Sequence, residues 1–151
     1  MLLEEFENVP AVIEPTEKPV HDKGEVCETI ILSFNGEILK RLIESEAVYP
    51  GGYLKSINGQ RPWYIYRQGP IKLAVMLAPI GAPMIVGQLE ELVARGFKNF
   101  IILGSCGVLD RSIEADKIIL PAAALRDEGT SYHYAPPGDE VAYDESLLIE
   151  L

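Results

Sequence analysis

The stretch IKLAVMLAPIGAPMIVGQLEELVARGFKNFIILG, residues 71–104, decides how the rest of the chain is read. It opens on an apolar run of strand length and closes on another, NFIIL, and both read as buried strands. Between them Pro83 suits a first helical turn, and Ile85, Leu89, Leu92 and Val93 recur at the spacing of a buried helical face. Glu91 can pair with Arg95, and Gly96 supplies the stop. Strand, helix and strand in this order predict a βαβ unit with parallel strands and a right-handed crossover.

Upstream, TIILSF (residues 29–34) has the β-branched look of a buried strand. GEILKRLIESE (36–46) sets Ile38, Leu39, Leu42 and Ile43 on one helical face. The Pro50-Gly51-Gly52 break, YLKSI, the Asn58-Gly59 turn signal and PWYIYR predict a β-hairpin. Downstream, DKIILPAAAL (116–125) predicts a further strand, and DESLLIEL (144–151) begins a helix that should continue past Leu151. Residues 1–28 carry Pro10, Pro15 and Pro19 among eight acidic residues, which predicts an extended N-terminal arm. Its Leu2, Leu3, Phe6 and Ile13 are suited to docking on the core or on a neighbouring subunit.

With 151 residues, 48% hydrophobic and 24% charged, the chain is long enough for one domain with a proper core, and wholesale disorder is disfavoured. Thirteen basic against 23 acidic residues give a formal charge of -10, with no basic cluster, so nucleic acid and anionic membranes are disfavoured as partners. No apolar run approaches the roughly 20 residues that span a bilayer, and the acidic N-terminus does not resemble a signal peptide. Cys27 and Cys106 lie far apart without metal-ligand spacing, so no metal site is expected and a reducing cytoplasm fits best.

In an open parallel sheet, ligands bind outside the carboxyl ends of the strands. Two loops there are rich in small residues: APIGAP (78–83), which runs into a helix N-terminus, and GSCG (104–107), which offers free N–H groups and the Ser105 hydroxyl. Such loops suit a phosphate or a sugar, although glycines after strands also serve simple turns. Neither loop matches the P-loop or the dinucleotide fingerprint. Cys106, without a histidine nearby, reads as a small buried residue. His21 and His133 read as structural or solvated, Arg126-Asp127-Glu128 as an ion-pair cluster or a ligand clamp, and Trp63, Tyr64 and Tyr66 as hairpin packing or a stacking surface for a base.

IGAPMIVGQLEELVARGFKNFIILGSCGVLD (80–110), followed by DKIILPAAALRDEGTSYHYAPP (116–137), resembles the nucleoside phosphorylase and uridine phosphorylase superfamily. The likeness is close over residues 73–137 and in outline over 29–66. It implies a phosphorylase/hydrolase-like three-layer α/β fold with a central mixed sheet flanked by helices. Residues 29–151 would be the N-terminal portion of one such domain, with its C-terminal part missing. The implied activity is that of a pentosyltransferase in nucleotide salvage: a purine or uridine phosphorylase that cleaves the N-glycosidic bond with phosphate, giving free base and ribose 1-phosphate. Phosphate is the co-substrate and no cofactor is needed, and the implied assembly is a dimer or hexamer whose neighbours complete one another's sites.

The resemblance implies that Gly81, Gly104, Ser105, Cys106 and Gly107 contact phosphate and ribose, with Arg61 and Arg67 of the hairpin as candidate anion-binding residues. Two features depart from the family pattern. Phosphorylases carry a Gly-Asp-Pro-x-Arg-like turn after the first strand, where this chain has SFNGEI with Phe34 and Ile38, and Ile102 stands where many members have another phosphate-binding arginine. The base pocket, the Met-Glu ribose element and the acidic residue assisting the leaving base belong to the C-terminal half, beyond Leu151. Two further readings follow from these departures: a phosphate-independent nucleosidase, and a truncated, non-catalytic binding member of the family.

Overall fold

In the computed structural model, which describes residues 6–17, 24–114 and 116–142, the chain runs β1 (Thr29–Ser33), α1 (Gly36–Glu44), β2 (Val48–Ser56), β3 (Gly59–Gln68), β4 (Ile71–Leu77), α2 (Ala82–Arg95) and β5 (Asn99–Leu103), then β6 (Ala123–Leu125) and β7 (Glu140–Ala142). Contacts divide it into two compact units, residues 11–105 and a smaller one from Cys106 onward that includes residues 6–10. In the first, a mixed sheet has the order β2-β3-β4-β1-β5. β1 pairs in parallel with both β4 and β5, while β2, β3 and β4 form an antiparallel meander. β4 and β5 are therefore parallel, as expected, but they are not neighbours, because β1 lies between them.

Residues paired across a ladder share a face of the sheet. Ile30, Leu32, Trp63, Ile65, Ala74 and Met76 thus line one face, and they pack with Cys27, Leu54, Ala78, Leu92 and Phe97 into the core. Ile85, Leu89 and Phe100 lie half-buried against it, so α2 covers this face. α1 contacts β1, β2 and β4, and a side chain at its Gly36 would meet Leu77 Cδ1 at 3.6 Å, on the opposite face. The expected central mixed sheet flanked by helices is present.

Local chemistry explains the helix ends. The Asn35 side chain accepts the Glu37 N–H at 3.0 Å to cap α1. α2 stops where expected, at Gly96, whose φ of 106° lets its N–H turn back to the Leu92 and Val93 carbonyls. Within the N-terminal arm expected over residues 1–28, the 3-10 turn Pro15–Glu17 lies against α2. Its Leu2 and Leu3, and the helix expected over residues 144–151, lie outside the described residues.

Several expectations need correction. β5 is an edge strand with Ile101, Ile102 and Leu103 exposed, because among the described residues only β1 pairs with it. Leu39 is the buried residue of α1, with Leu42 half-buried and Ile38 and Ile43 exposed on its flanks. Of the four residues expected on the buried face of α2, Val93 is exposed, and Gln88 is buried in the apolar face instead. The strand expected over residues 116–125 shrinks to β6. Pro121 has no N–H for a ladder, and Ile118 before it is 95% exposed.

The hairpin forms as expected but closes one residue early: Ser56 pairs with Gly59 and the turn residues are Ile57 and Asn58. Neither has a positive φ, and the left-handed conformation falls on Gly59, at 108°. Pro50, Gly51 and Gly52 are no turn at all, but lie inside β2 at a bulge. The reason is Trp63. Its fully buried ring lies against this segment, and a Cβ on Gly52 would come within 2.4 Å of Trp63 Cζ2. The indole N–H donates to the Glu25 carbonyl at 2.8 Å, Phe97 meets the ring edge-on at 5.7 Å, and the Arg95 guanidinium lies 5.8 Å from its centroid.

The smaller unit is organised by Arg126, which follows β6 and is buried. The antiparallel pair β6 and β7 brackets residues 126–139, with the Arg126 N–H on the Asp139 carbonyl at 2.8 Å. The guanidinium donates to Ser131 Oγ at 3.0 Å, to the Ala135 carbonyl at 3.2 Å and to the Pro136 carbonyl, and stacks 4.5 Å from the Tyr132 ring. Arg126 thus braces its own loop. Glu128 accepts the N–H groups of Thr130 and Ser131 at 2.7 and 2.9 Å, and the Ser131 contacts, then that of Thr130, hold its carboxyl below the usual range.

Two outcomes follow. Gly52→Ala should destabilise the chain by about 1–3 kcal/mol through overpacking against Trp63. Gly87→Ala, in the middle of α2 with nothing within 4 Å of the added methyl, should stabilise it by about 0.5–1 kcal/mol. Urea denaturation midpoints distinguish the two. The Glu128 brace, its folded pKa being depressed, is intact above the ordinary carboxylate range and is lost as pH falls through the depressed value. The Ser131 amide NMR shift should report that titration, and Glu128→Gln should abolish it.

Candidate functional site at the carboxyl ends of the parallel strands

The ladder register sets three strand ends level. Ser33 pairs with Leu77 on one side and Leu103 on the other, so β1, β4 and β5 finish in one row. The row is tied by two further bonds, Ala78 N–H to the Ser33 carbonyl at 2.8 Å and Phe34 N–H to the Leu103 carbonyl at 2.9 Å. From it leave the start of α1, the loop of residues 78–81 leading into α2, and Gly104 with Ser105. Ser33 is buried, and its hydroxyl accepts the Asn35 N–H at 3.1 Å, fixing the turn into α1.

Gly81 precedes α2 with a φ of 100° and no side-chain cap, and open space surrounds the position a Cβ would take. Pro83 has no N–H and the Met84 N–H is taken by the Gly81 carbonyl at 3.1 Å, so the first turn of α2 offers the Ala82 N–H past a residue without a side chain. At Gly104 a Cβ would sit 3.2 Å from Phe34 Cδ2, so this glycine is small because the Phe34 ring lies against it. Ser105 is exposed and ends the larger unit. Cys106 and Gly107 belong to the smaller unit, both are exposed, and Cys106 is a free thiol rather than the buried residue expected.

The two candidate arginines are sorted by the hairpin register. β3 runs antiparallel to β4 and pairs Trp63 with Met76, so two residues further out Arg61 falls level with Ala78, beside the row of strand ends. Arg67 pairs with Lys72 near the start of β4, six residues and about 20 Å away along the strand. There Lys72 Nζ meets Glu25 Oε1 at 2.6 Å, and this ion pair, with smaller contributions from Tyr49 and Arg67, holds the Glu25 carboxyl below its ordinary value. Gly81, Ser105 and Arg61 are thus gathered at one end of the sheet, and Arg67 at the other.

Gln88 was not singled out from sequence. It is fully buried on α2, accepts from Arg61 Nη1 at 3.0 Å, and donates through Nε2 to the Leu77 carbonyl at 3.3 Å and to Met76 Sδ at 3.4 Å. Its signal in the sequence was its place between Ile85 and Leu92, on the apolar face of the helix. Trp63 is core rather than a stacking platform, while Tyr64 and Tyr66 are half-buried on the opposite face. His133 is exposed in the 3-10 turn Ser131–His133, and His21 lies outside the described residues. Among the described residues no group of three or more metal-ligating side chains forms, and no helix is long and apolar enough to cross a membrane.

Comparison with known proteins agrees with this architecture. The chain is 38% identical over 64 residues to a uridine phosphorylase of Treponema pallidum, covering 42% of this chain and 25% of that protein. It is 39% identical over 64 residues to a uridine phosphorylase of Thermococcus kodakarensis, covering 42% and 23%. A guanosine phosphorylase of Halorubrum lacusprofundi is 30% identical over 79 residues, covering 52% and 33%. The matched part of this chain thus spans a quarter to a third of the length of these curated relatives. The profile of the Phosphorylase superfamily matches residues 28–151, most of the chain, and the chain belongs to that superfamily.

Proposed function

We propose that this chain is the N-terminal portion of a nucleoside phosphorylase of purine or uridine type, which transfers the pentosyl group of a nucleoside to phosphate. The observation that carries the reading is the level row of β1, β4 and β5 ends, with Gly81, Ser105 and Arg61 beside it. Relatives named for uridine and guanosine phosphorolysis support the reaction class without choosing the base. Cleavage of an N-glycosidic bond builds positive charge on the sugar ring, so an anion held beneath it both stabilises and attacks that centre. In this reading the Ser105 hydroxyl and N–H, the Ala82 N–H at the start of α2 and the Arg61 guanidinium hold the phosphate. The phosphate is co-substrate, no cofactor takes part, and a homo-oligomer completes the site in the cytoplasm.

A second reading is favoured by one specific observation. Phe34 packs its ring against Gly104, and Ile38 and Ile102, both exposed, stand at the positions where the family pattern has phosphate arginines. Apolar residues there suit a nucleosidase that uses water, or a member that binds without turnover.

Free-base release from uridine and guanosine by the complete protein, with and without phosphate, separates these readings. Phosphorolysis predicts release only with phosphate. Equal release without it supports the nucleosidase, and phosphate binding without release supports the non-catalytic member. Loss of one hydrogen bond to a charged group costs about 1.5–3 kcal/mol. Arg61→Met and Ser105→Ala should each therefore weaken phosphate affinity by roughly 10- to 100-fold, measured by calorimetry. Arg67→Met should leave it unchanged.

A further inference from the structure

We infer that Gln88 is a positioning residue for the anion site, holding the Arg61 guanidinium and the last carbonyl of β4 in a fixed relation. This rests on the reading of Arg61 as a phosphate contact. The amide is fully buried on a helix face otherwise formed by Ile85, Leu89 and Leu92. Burying an amide there costs desolvation that an apolar side chain would avoid, and only complete hydrogen bonding offsets it. Both ends are used: Oε1 takes Arg61 Nη1, and Nε2 reaches the Leu77 carbonyl and Met76 Sδ.

The choice of an amide is informative. A carboxylate at this place would orient Arg61 equally well, but its charge would cancel the field that attracts an anion. A neutral acceptor fixes the guanidinium and leaves the positive charge whole. The opposite end of the amide grips the residue from which the loop of 78–81 departs. One side chain therefore sets the spacing between the hairpin cation and the loop that enters α2.

The test is inorganic phosphate binding to the 151-residue chain by calorimetry, for wild type, Gln88→Met, Arg61→Met and the double variant. Gln88→Met should weaken binding roughly tenfold, the loss of one oriented charge-assisted contact. The double variant should bind no more weakly than Arg61→Met alone, since Gln88 acts through Arg61. Unchanged affinity in Gln88→Met, or losses that simply add, overturn the inference while leaving the phosphate reading intact. Failure of the wild-type chain to bind phosphate overturns that reading and this inference with it. The side-chain amide NMR signal of Gln88 gives a readout that requires no change at that residue. It should move when phosphate is added to wild type and stay fixed in Arg61→Met, and a signal that stays fixed in wild type overturns the coupling.

Discussion

The burial of Trp63 is the constraint on which the larger unit depends. The ring has no exposed surface, and the backbone of Gly51 and Gly52 passes close enough that no side chain fits between. Its N–H is spent on the Glu25 carbonyl, which draws the segment before β1 onto the same ring, while Phe97 and Arg95 bring the end of α2 to it. Hairpin, helix and the entry to the first strand therefore converge on one side chain. The same residue pairs with Met76, so the interaction that closes the core also sets the height at which Arg61 stands beside the strand ends.

Much of the fold is legible in the sequence because its signals are local. Pro83 and Gly96 bracket α2, the Asn58-Gly59 pair marks the hairpin, and alternation along PWYIYR separates buried Trp63 and Ile65 from half-buried Tyr64 and Tyr66. What the sequence does not carry is sheet order. NFIIL reads as buried because it is apolar throughout, yet its exposure depends on which strands stand beside it. β1, 70 positions earlier in the chain, takes one side of it, and no other described strand takes the second. The glycines of β2 mislead for a related reason: they are small to admit a ring from the partner strand, a demand invisible at their own position.

The site is legible in kind and not in arrangement. Small residues after two strands mark the end of the sheet where Gly81 and Ser105 lie. Arg61 and Arg67 look equivalent in sequence, sitting on one strand an even number of residues apart, and only the pairing of β3 with β4 separates them. Gln88 escapes notice because a polar residue on a helix is ordinarily read as facing water, although its spacing from Ile85 and Leu92 puts it on the inward face. At Gly104 the Phe34 ring lies close to where a Cβ would stand, a neighbour from another strand end that the sequence around Gly104 does not announce.

That the candidate cation is carried on a hairpin strand has a bearing on how such a site changes through descent. Side chains of a strand alternate between faces, so the loss or gain of one residue between Trp63 and Arg61 would turn the guanidinium to the far side of the sheet, away from Gln88 and α2. A change of two would keep it on the same side and shift it by about 7 Å, roughly the span of a phosphate with its hydrogen bonds. Length changes between Trp63 and Arg61 that keep the guanidinium on the face of α2 are thus confined to even steps, and each step re-addresses the cation to a different part of whatever ligand lies there.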